Sequence, residues 1–189
     1  MRLLLMGPPG AGKGTQATAL ATLVQGVHIS TGDIFRKNVA EQTELGRQAQ
    51  QYMDAGQYVP DEVTNAMVRS RLAEPDAASF VLDGYPRTED QVAELDSILG
   101  ALGTQLDAVI ALEVADREEL IARMIKRAET SGRADDTEEV IRHRQDVYTA
   151  ETAALLPIYS ARGILHEVDG VGTIDDVAAR IAAVVASLA

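Results

Sequence analysis

Gly7-Pro-Pro-Gly-Ala-Gly12-Lys13 constrains the fold more than any other stretch, because the apolar run Leu3–Met6 leads straight into it. The spacing is G-x-x-x-x-G-K, the form of a phosphate-binding loop, at the point where a buried strand should hand over to a helix. Glycines let backbone amides turn inward around an anion with no Cβ in the way. The following helix adds its N-terminal amides and partial positive charge, and Lys13 adds a mobile cation for the β- and γ-phosphates. Pro8 and Pro9 carry no N–H, so the donors are expected from Gly10, Ala11, Gly12, Lys13, Gly14 and Thr15. Gly14 stands where the general motif has a Ser or Thr hydroxyl for Mg²⁺, and Thr15 comes one residue late. Magnesium is therefore expected to be held mainly by phosphate oxygens and water.

Such a loop sits on a parallel sheet, and the rest of the chain supplies one. Strand candidates at Leu3–Met6, Val27–Ile29, Phe80–Leu82, Val109–Val114 and Ile164–Val168 alternate with helical patterns at Gln16–Val24, Glu62–Leu72, Gln91–Leu99, Arg117–Arg127 and Ile174–Val185. The alternation predicts an α/β fold of the phosphate-loop NTPase type, a three-layer sandwich with a central five-stranded parallel sheet. At 189 residues the chain is long enough for one such domain. Two stretches break the rhythm. Ser30 to about Val59 exceeds one crossover helix and predicts a small insertion over the carboxyl edge of the sheet. Ala128–Asp136 is polar and contains a glycine; it reads either as a segment that closes over a site or as a solvated connection. Pro157, inside a long helical pattern after Thr137, should kink or restart that helix.

A second chemical signal lies at Ser79-Phe-Val-Leu-Asp83-Gly84, an apolar strand ending in a carboxylate. Asp83 reads as a residue that orients magnesium-bound water, or as the cap of a turn before Gly84.

Charge and composition narrow the partners. A formal net charge of −12 argues against a nucleic-acid surface, though a few arginines in a partly desolvated cleft still outweigh distant, screened carboxylates. Only Lys13, Lys37 and Lys126 are lysines; the other basic residues are arginines, suited to bidentate phosphate contacts. The absence of cysteine removes disulfides, thiol nucleophiles and a cysteine-ligated zinc site, and His28, His143 and His166 are scattered. No apolar run approaches the roughly 20 residues needed to cross a bilayer, and Leu3–Met6 is too short for a signal-peptide core, so a cytoplasmic location without membrane contact is expected. No heptad pattern suggests assembly, and a monomer is the default.

GPPGAGKGTQ at 7–16, ISTGDIFR at 29–36 and LDGYPRTEDQ at 82–91, with SGRADD at 131–136 and DGVGT at 169–173, closely resemble the adenylate kinase family over essentially the whole chain. The resemblance implies reversible transfer of the terminal phosphoryl group from ATP to AMP, giving two ADP, with Mg²⁺ as cofactor and adenine nucleotide homeostasis as the role. It implies a core of 1–29, 60–126 and 138–189, an AMP-binding insertion at 30–59 and a short lid at 127–137 that lacks the longer hairpin and its possible zinc cysteines. ATP would lie on Gly10 to Thr15, with Lys13 on its phosphates, Arg127 facing it and the Gly172 backbone on its adenine. Thr31 and Arg36 would meet the base and α-phosphate of AMP. The backbone of Gln57, Tyr58 and Val59 would line the adenine pocket, and Gly84, Tyr85, Pro86, Arg87 and Gln91 would complete it. Arg133 and Arg144 would grip the phosphates being exchanged.

This chemistry suits the residues themselves. Phosphoryl transfer needs no covalent nucleophile from the protein, only in-line positioning, charge stabilisation and exclusion of water. Lys13, Arg87, Arg127, Arg133 and Arg144 supply the charge. Arg123 shares a helix face with Arg127, so a site role and a surface role both stand; Arg142 points elsewhere. Asp135 and Asp136 could link lid to core, accept from the arginines, or start the next helix. Two other functions fit parts of the pattern: a UMP/CMP-type nucleoside monophosphate kinase, and a non-catalytic nucleotide-binding regulator or GTPase-type switch. Thr31 with Gln91 favours adenine over the first, and the missing N-K-x-D signature disfavours the second.

Overall fold

The computed structural model describes residues 1–131 and 137–188. Five parallel strands, β1 (Arg2–Met6), β2 (Val27–Ser30), β3 (Phe80–Asp83), β4 (Ala108–Glu113) and β5 (Leu165–Asp169), lie in the order β2-β3-β1-β4-β5. Each is within a residue or so of its expected span. β1 is central, and the chain leaves it toward β2 on one side and later crosses to β4 on the other. In open α/β sheets, ligands collect at the carboxyl ends of the strands where the connections diverge in this way.

The period-2 alternation of β1 explains why it is central. Leu4 and Met6 face one core with Phe80, Leu82 and Val109, while Leu3 and Leu5 face the other with Val81, Ile110 and Leu112. Leu3, Leu4, Leu5 and Met6 are all buried, so truncating one to alanine should cost about 2–5 kcal/mol. Helices α4 (Asp61–Leu72), α5 (Glu89–Ala101) and α8 (Leu156–Ala161) cover the first face; α1 (Lys13–Leu23) and α9 (Ile174–Ser187) cover the second. Among the described residues, no helix is long and apolar enough to cross a membrane.

The stretch expected to form an insertion holds two helices, α2 (Thr31–Ala40) and α3 (Glu44–Asp54), followed by an irregular stretch to Pro60. Ser30 caps α2 by accepting from the Asp33 amide, and Thr43 caps α3 by accepting from the Gly46 amide. Gly46 presses on the end of α2 so closely that a Cβ there would overlap the Asn38 backbone. The insertion has its own small core of Phe35, Ala49 and Val59.

On the other side of the site run α6 (Arg117–Ser131) and α7 (Glu138–Val147). The helical pattern after Thr137 changes earlier than Pro157 alone predicts. It passes through a π-helical turn at Tyr148–Thr152 and a 3₁₀ turn at Ala153–Leu155, and α8 then restarts with Pro157 in its first turn. Arg133, Asp135 and Asp136 fall in residues 132–136 of the expected lid, which lie outside the described residues.

Candidate active site

The phosphate loop takes its shape from local strain that only glycine bears. Gly10 has φ +87°, and a Cβ there would stand 2.7 Å from the Leu120 carbonyl oxygen of α6. Inside the loop, the Ala11 amide donates to the Pro8 carbonyl and the Thr15 amide to the Gly12 carbonyl, each at 3.1 Å. Among the described residues, the amides of Gly10, Gly12, Lys13 and Gly14 have no carbonyl partner, which narrows the expected donors to the start of α1 and the turn before it.

Lys13 Nζ donates to the carbonyls of Gly7 at 2.7 Å and Pro8 at 3.1 Å. Burial pushes its pKa down from 10.5 to about 8; the charge of Asp83 opposes that shift, and the charges of Arg87 and Arg127 add to it. The loop lysine, the carboxylate ending β3, an arginine after β3 and an arginine on α6 therefore share one electrostatic field. Sequence reading missed Gln145, a buried α7 residue whose Nε2 donates to the Pro9 carbonyl at 2.7 Å and braces the loop from behind. Its signal is a polar residue four positions after buried Ile141, on the inward face of the helix.

Facing the loop is a wall built from long-range side-chain contacts. The Gly84 carbonyl accepts from Thr31 Oγ1 at 2.9 Å and from Arg87 Nε at 2.7 Å. The Arg87 amide donates to Gln91 Oε1 at 2.7 Å. Gln91 Nε2 and Thr88 Oγ1 each donate to the Asp61 carboxylate at 2.6 Å, so Asp61 ties the start of α4 to the start of α5. Asp61 was also missed, since an acidic residue in the first turn of a helix reads as ordinary dipole complementarity. Tyr85 is buried and its hydroxyl donates to Asn65 at 2.7 Å; burial pushes its pKa well above the usual tyrosine value. Arg36 pairs with Asp33 on α2, and Arg144 Nη2 donates to the Met53 carbonyl at the end of α3 at 3.3 Å.

The cleft between loop and wall brings together almost every expected residue: Gly10, Gly12 to Thr15 and Arg127 on one side, Thr31, Arg36, Gln57 to Val59, Gly84 to Arg87, Gln91 and Arg144 on the other, with Asp83 between. Ala11 does not line it, because its methyl group is buried in the core. Gly172 does not line it either. It sits on an exposed turn before α9, tied to α1 where Gln16 Nε2 donates to the Ile174 carbonyl at 2.9 Å. Arg123 lines the cleft while paired with Glu119, and Arg142 bridges Glu118 and Glu138 on the exposed surface.

Among the described residues, no group of three or more His, Asp or Glu side chains could cage a metal. Asp83 is a single carboxylate, 8% exposed, with His28 Nε2 at 3.8 Å. One carboxylate at this place fits magnesium carried mainly by phosphates and water.

The adenylate kinase profile matches residues 5–164. An adenylate kinase of Nocardioides sp. is 59% identical over 96% of this chain and 95% of its own. Those of Clavibacter michiganensis subsp. michiganensis and Thermobifida fusca are 58% and 55% identical, covering 98% and 95% of this chain and 92% and 95% of their own. The chain belongs to the adenylate kinase family. Membership agrees with the five-stranded parallel sheet covered by helices on both faces.

Proposed function

We propose that the cleft divides its work between its two walls, a donor side and an acceptor side. The chain is an ATP:AMP phosphotransferase serving adenine nucleotide homeostasis; the residue roles below are our reading of its geometry. ATP phosphates take the amides of Gly10, Gly12, Lys13 and Gly14, and Lys13 exchanges its loop carbonyls for β- and γ-phosphate oxygens. AMP lies beneath the insertion of residues 30–59, with Thr31, the 57–59 backbone and Gln91 around the base and with Arg36, Arg87 and Arg144 on phosphate. Gly172 meets the ATP adenine, and the lid of residues 127–137 brings Arg133 onto the phosphates.

An α-phosphate oxygen of AMP attacks the γ-phosphorus as the bond to the β–γ bridging oxygen breaks, and ADP forms on both sides. Lys13, Arg87 and Arg127 hold positive charge where the moving phosphoryl group carries negative charge. Mg²⁺ bound with ATP supplies further charge neutralisation, and Asp83 would hold its coordinated water. Closure of the insertion and lid keeps water from competing with AMP.

One observation carries this reading: Lys13, Asp83, Arg87 and Arg127 meet in one cleft that the insertion bounds on the other side. The test offers Mg²⁺ and ATP with AMP, UMP, CMP or GMP and follows nucleoside diphosphate formation. AMP should turn over fastest; equal or better turnover of a pyrimidine monophosphate would sink the adenylate assignment.

A further inference from the structure

Arg87 is held at every polar atom of its backbone as well as along its side chain. Its amide donates to Gln91 and its Nε to the Gly84 carbonyl, while its own carbonyl accepts from Thr152 Oγ1 at 3.1 Å. The guanidinium carbon lies 4.7 Å from the centre of the Tyr58 ring. Tyr58 and Thr152 touch each other in turn, hydroxyl to hydroxyl, at 2.7 Å.

The direction of these bonds follows from proton counting. Thr152 has one hydroxyl hydrogen, and the Arg87 carbonyl can only accept, so that hydrogen goes to Arg87. Tyr58 must then donate to Thr152, giving a relay from Tyr58 O–H to Thr152 O–H to the Arg87 carbonyl. Burial raises the Tyr58 pKa, which keeps the first donor protonated. Thr152 is 5% exposed and closes the π-helical turn. Such turns re-aim a side chain that an uninterrupted α-helix would carry elsewhere, and they concentrate at functional sites.

We propose that Tyr58 and Thr152 are a positioning pair for Arg87. The tyrosine ring sets the plane and height of the guanidinium, and the hydroxyl relay fixes the backbone from which that side chain springs. Tyr58 follows α3 and Thr152 follows α7, so the pair also makes the aim of Arg87 depend on the irregular stretch that ends the insertion staying seated against the core. The inference rests on Arg87 acting on phosphate, and the experiment separates the two claims.

Steady-state kinetics and melting temperatures would be measured for Tyr58→Phe, Thr152→Val, Thr152→Ser and Arg87→Ala, and for the doubles Tyr58→Phe/Thr152→Val and Thr152→Val/Arg87→Ala. Tyr58→Phe and Thr152→Val should each lower kcat about threefold to tenfold, the loss expected from one hydrogen bond, with KM for ATP unchanged. Their double should lose no more than the worse single, because the two hydroxyls act in series. Thr152→Ser, which keeps the hydroxyl, should restore turnover. In the Arg87→Ala background Thr152→Val should have no further effect on kcat, whereas damage to the fold would lower kcat in both backgrounds. Additive losses in the relay double, or a full Thr152→Val effect without Arg87, would overturn the positioning role. So would unchanged turnover in both relay singles while Arg87→Ala is crippled. Near-wild-type turnover of Arg87→Ala would overturn the Arg87 reading itself, and the inference with it.

Discussion

The two walls of the cleft, for which we propose donor and acceptor roles, are made differently. The donor wall is a contiguous piece of backbone: the loop from Gly7 to Thr15, its free amides, and one lysine bonded to carbonyls of that same loop. The acceptor wall is a web of side chains. Thr31 reaches Gly84, Asp61 gathers Thr88 and Gln91, and Thr152 reaches Arg87. Backbone can cradle a phosphate common to every nucleotide, whereas choosing one monophosphate requires side chains whose positions must themselves be fixed. A damaged donor wall should therefore lose phosphate affinity and catalysis together. Damage behind the acceptor wall should show first in the use of AMP.

The largest expected effect is on the donor side. Lys13→Met removes the cation that no neighbour replaces and should lower kcat/KM by roughly a thousandfold or more. The fold should survive, because an ammonium whose pKa is pushed down costs stability below about pH 8 rather than adding to it. A melting temperature well below wild type would contradict that account.

Next comes Arg87→Ala, expected to cut kcat by roughly a hundredfold or more with little change in KM for ATP. If KM for ATP rose as steeply as kcat fell, the division between the walls would fail at this residue.

The comparison sharpens with pH. Free Lys13 loses its proton as pH rises through about 8, and bound phosphate favours the ammonium, so nucleotide binding takes up a proton above that point. ATP affinity should fall from pH 8 toward pH 10, by up to about tenfold per unit, while AMP affinity changes less over the same range. Calorimetry in buffers of different ionisation enthalpy would read the proton directly, and equal slopes for the two nucleotides would erase the contrast.

Asp61→Asn tests the support behind the acceptor wall. An amide nitrogen turned toward Gln91 Nε2 faces a donor, and one turned toward Thr88 makes that hydroxyl accept and leaves its hydrogen without the carboxylate, at a cost of about 1–3 kcal/mol, or about 2–12 °C in melting temperature. KM for AMP should rise severalfold with KM for ATP unchanged. The smallest effect is expected at Arg142, whose partners Glu118 and Glu138 lie on the exposed surface. Arg142→Ala should match wild type in turnover and nearly so in melting temperature; a clear kinetic defect would extend the site beyond both walls.

The same contrast decides what could be read from sequence. The five strands and the phosphate loop rest on local pattern, an apolar period of two and a motif of seven adjacent residues, and both are found where expected. The residues that hold the site do not work locally. Thr152 meets Arg87 across 65 positions, and Gln145 meets Pro9 across 136. Each is a polar residue on a helix face that turns inward, and its partner becomes visible only when the sheet brings the strand ends together. Asp61 is harder still, because an acid in the first turn of a helix is satisfactory there without any further task.

The contact at Gly46 has a mechanical consequence. With no space for even a methyl group between α2 and α3, the two helices cannot slide or splay without losing their closest backbone approach. The tight contact couples the two helices, so a displacement of α2 at Asn38 must be followed by α3 at Gly46. At the end of α3, Met53 takes the hydrogen bond from Arg144, and the chain runs on to Tyr58. A bulkier residue at position 46 would force the Asn38 backbone away and loosen that linkage.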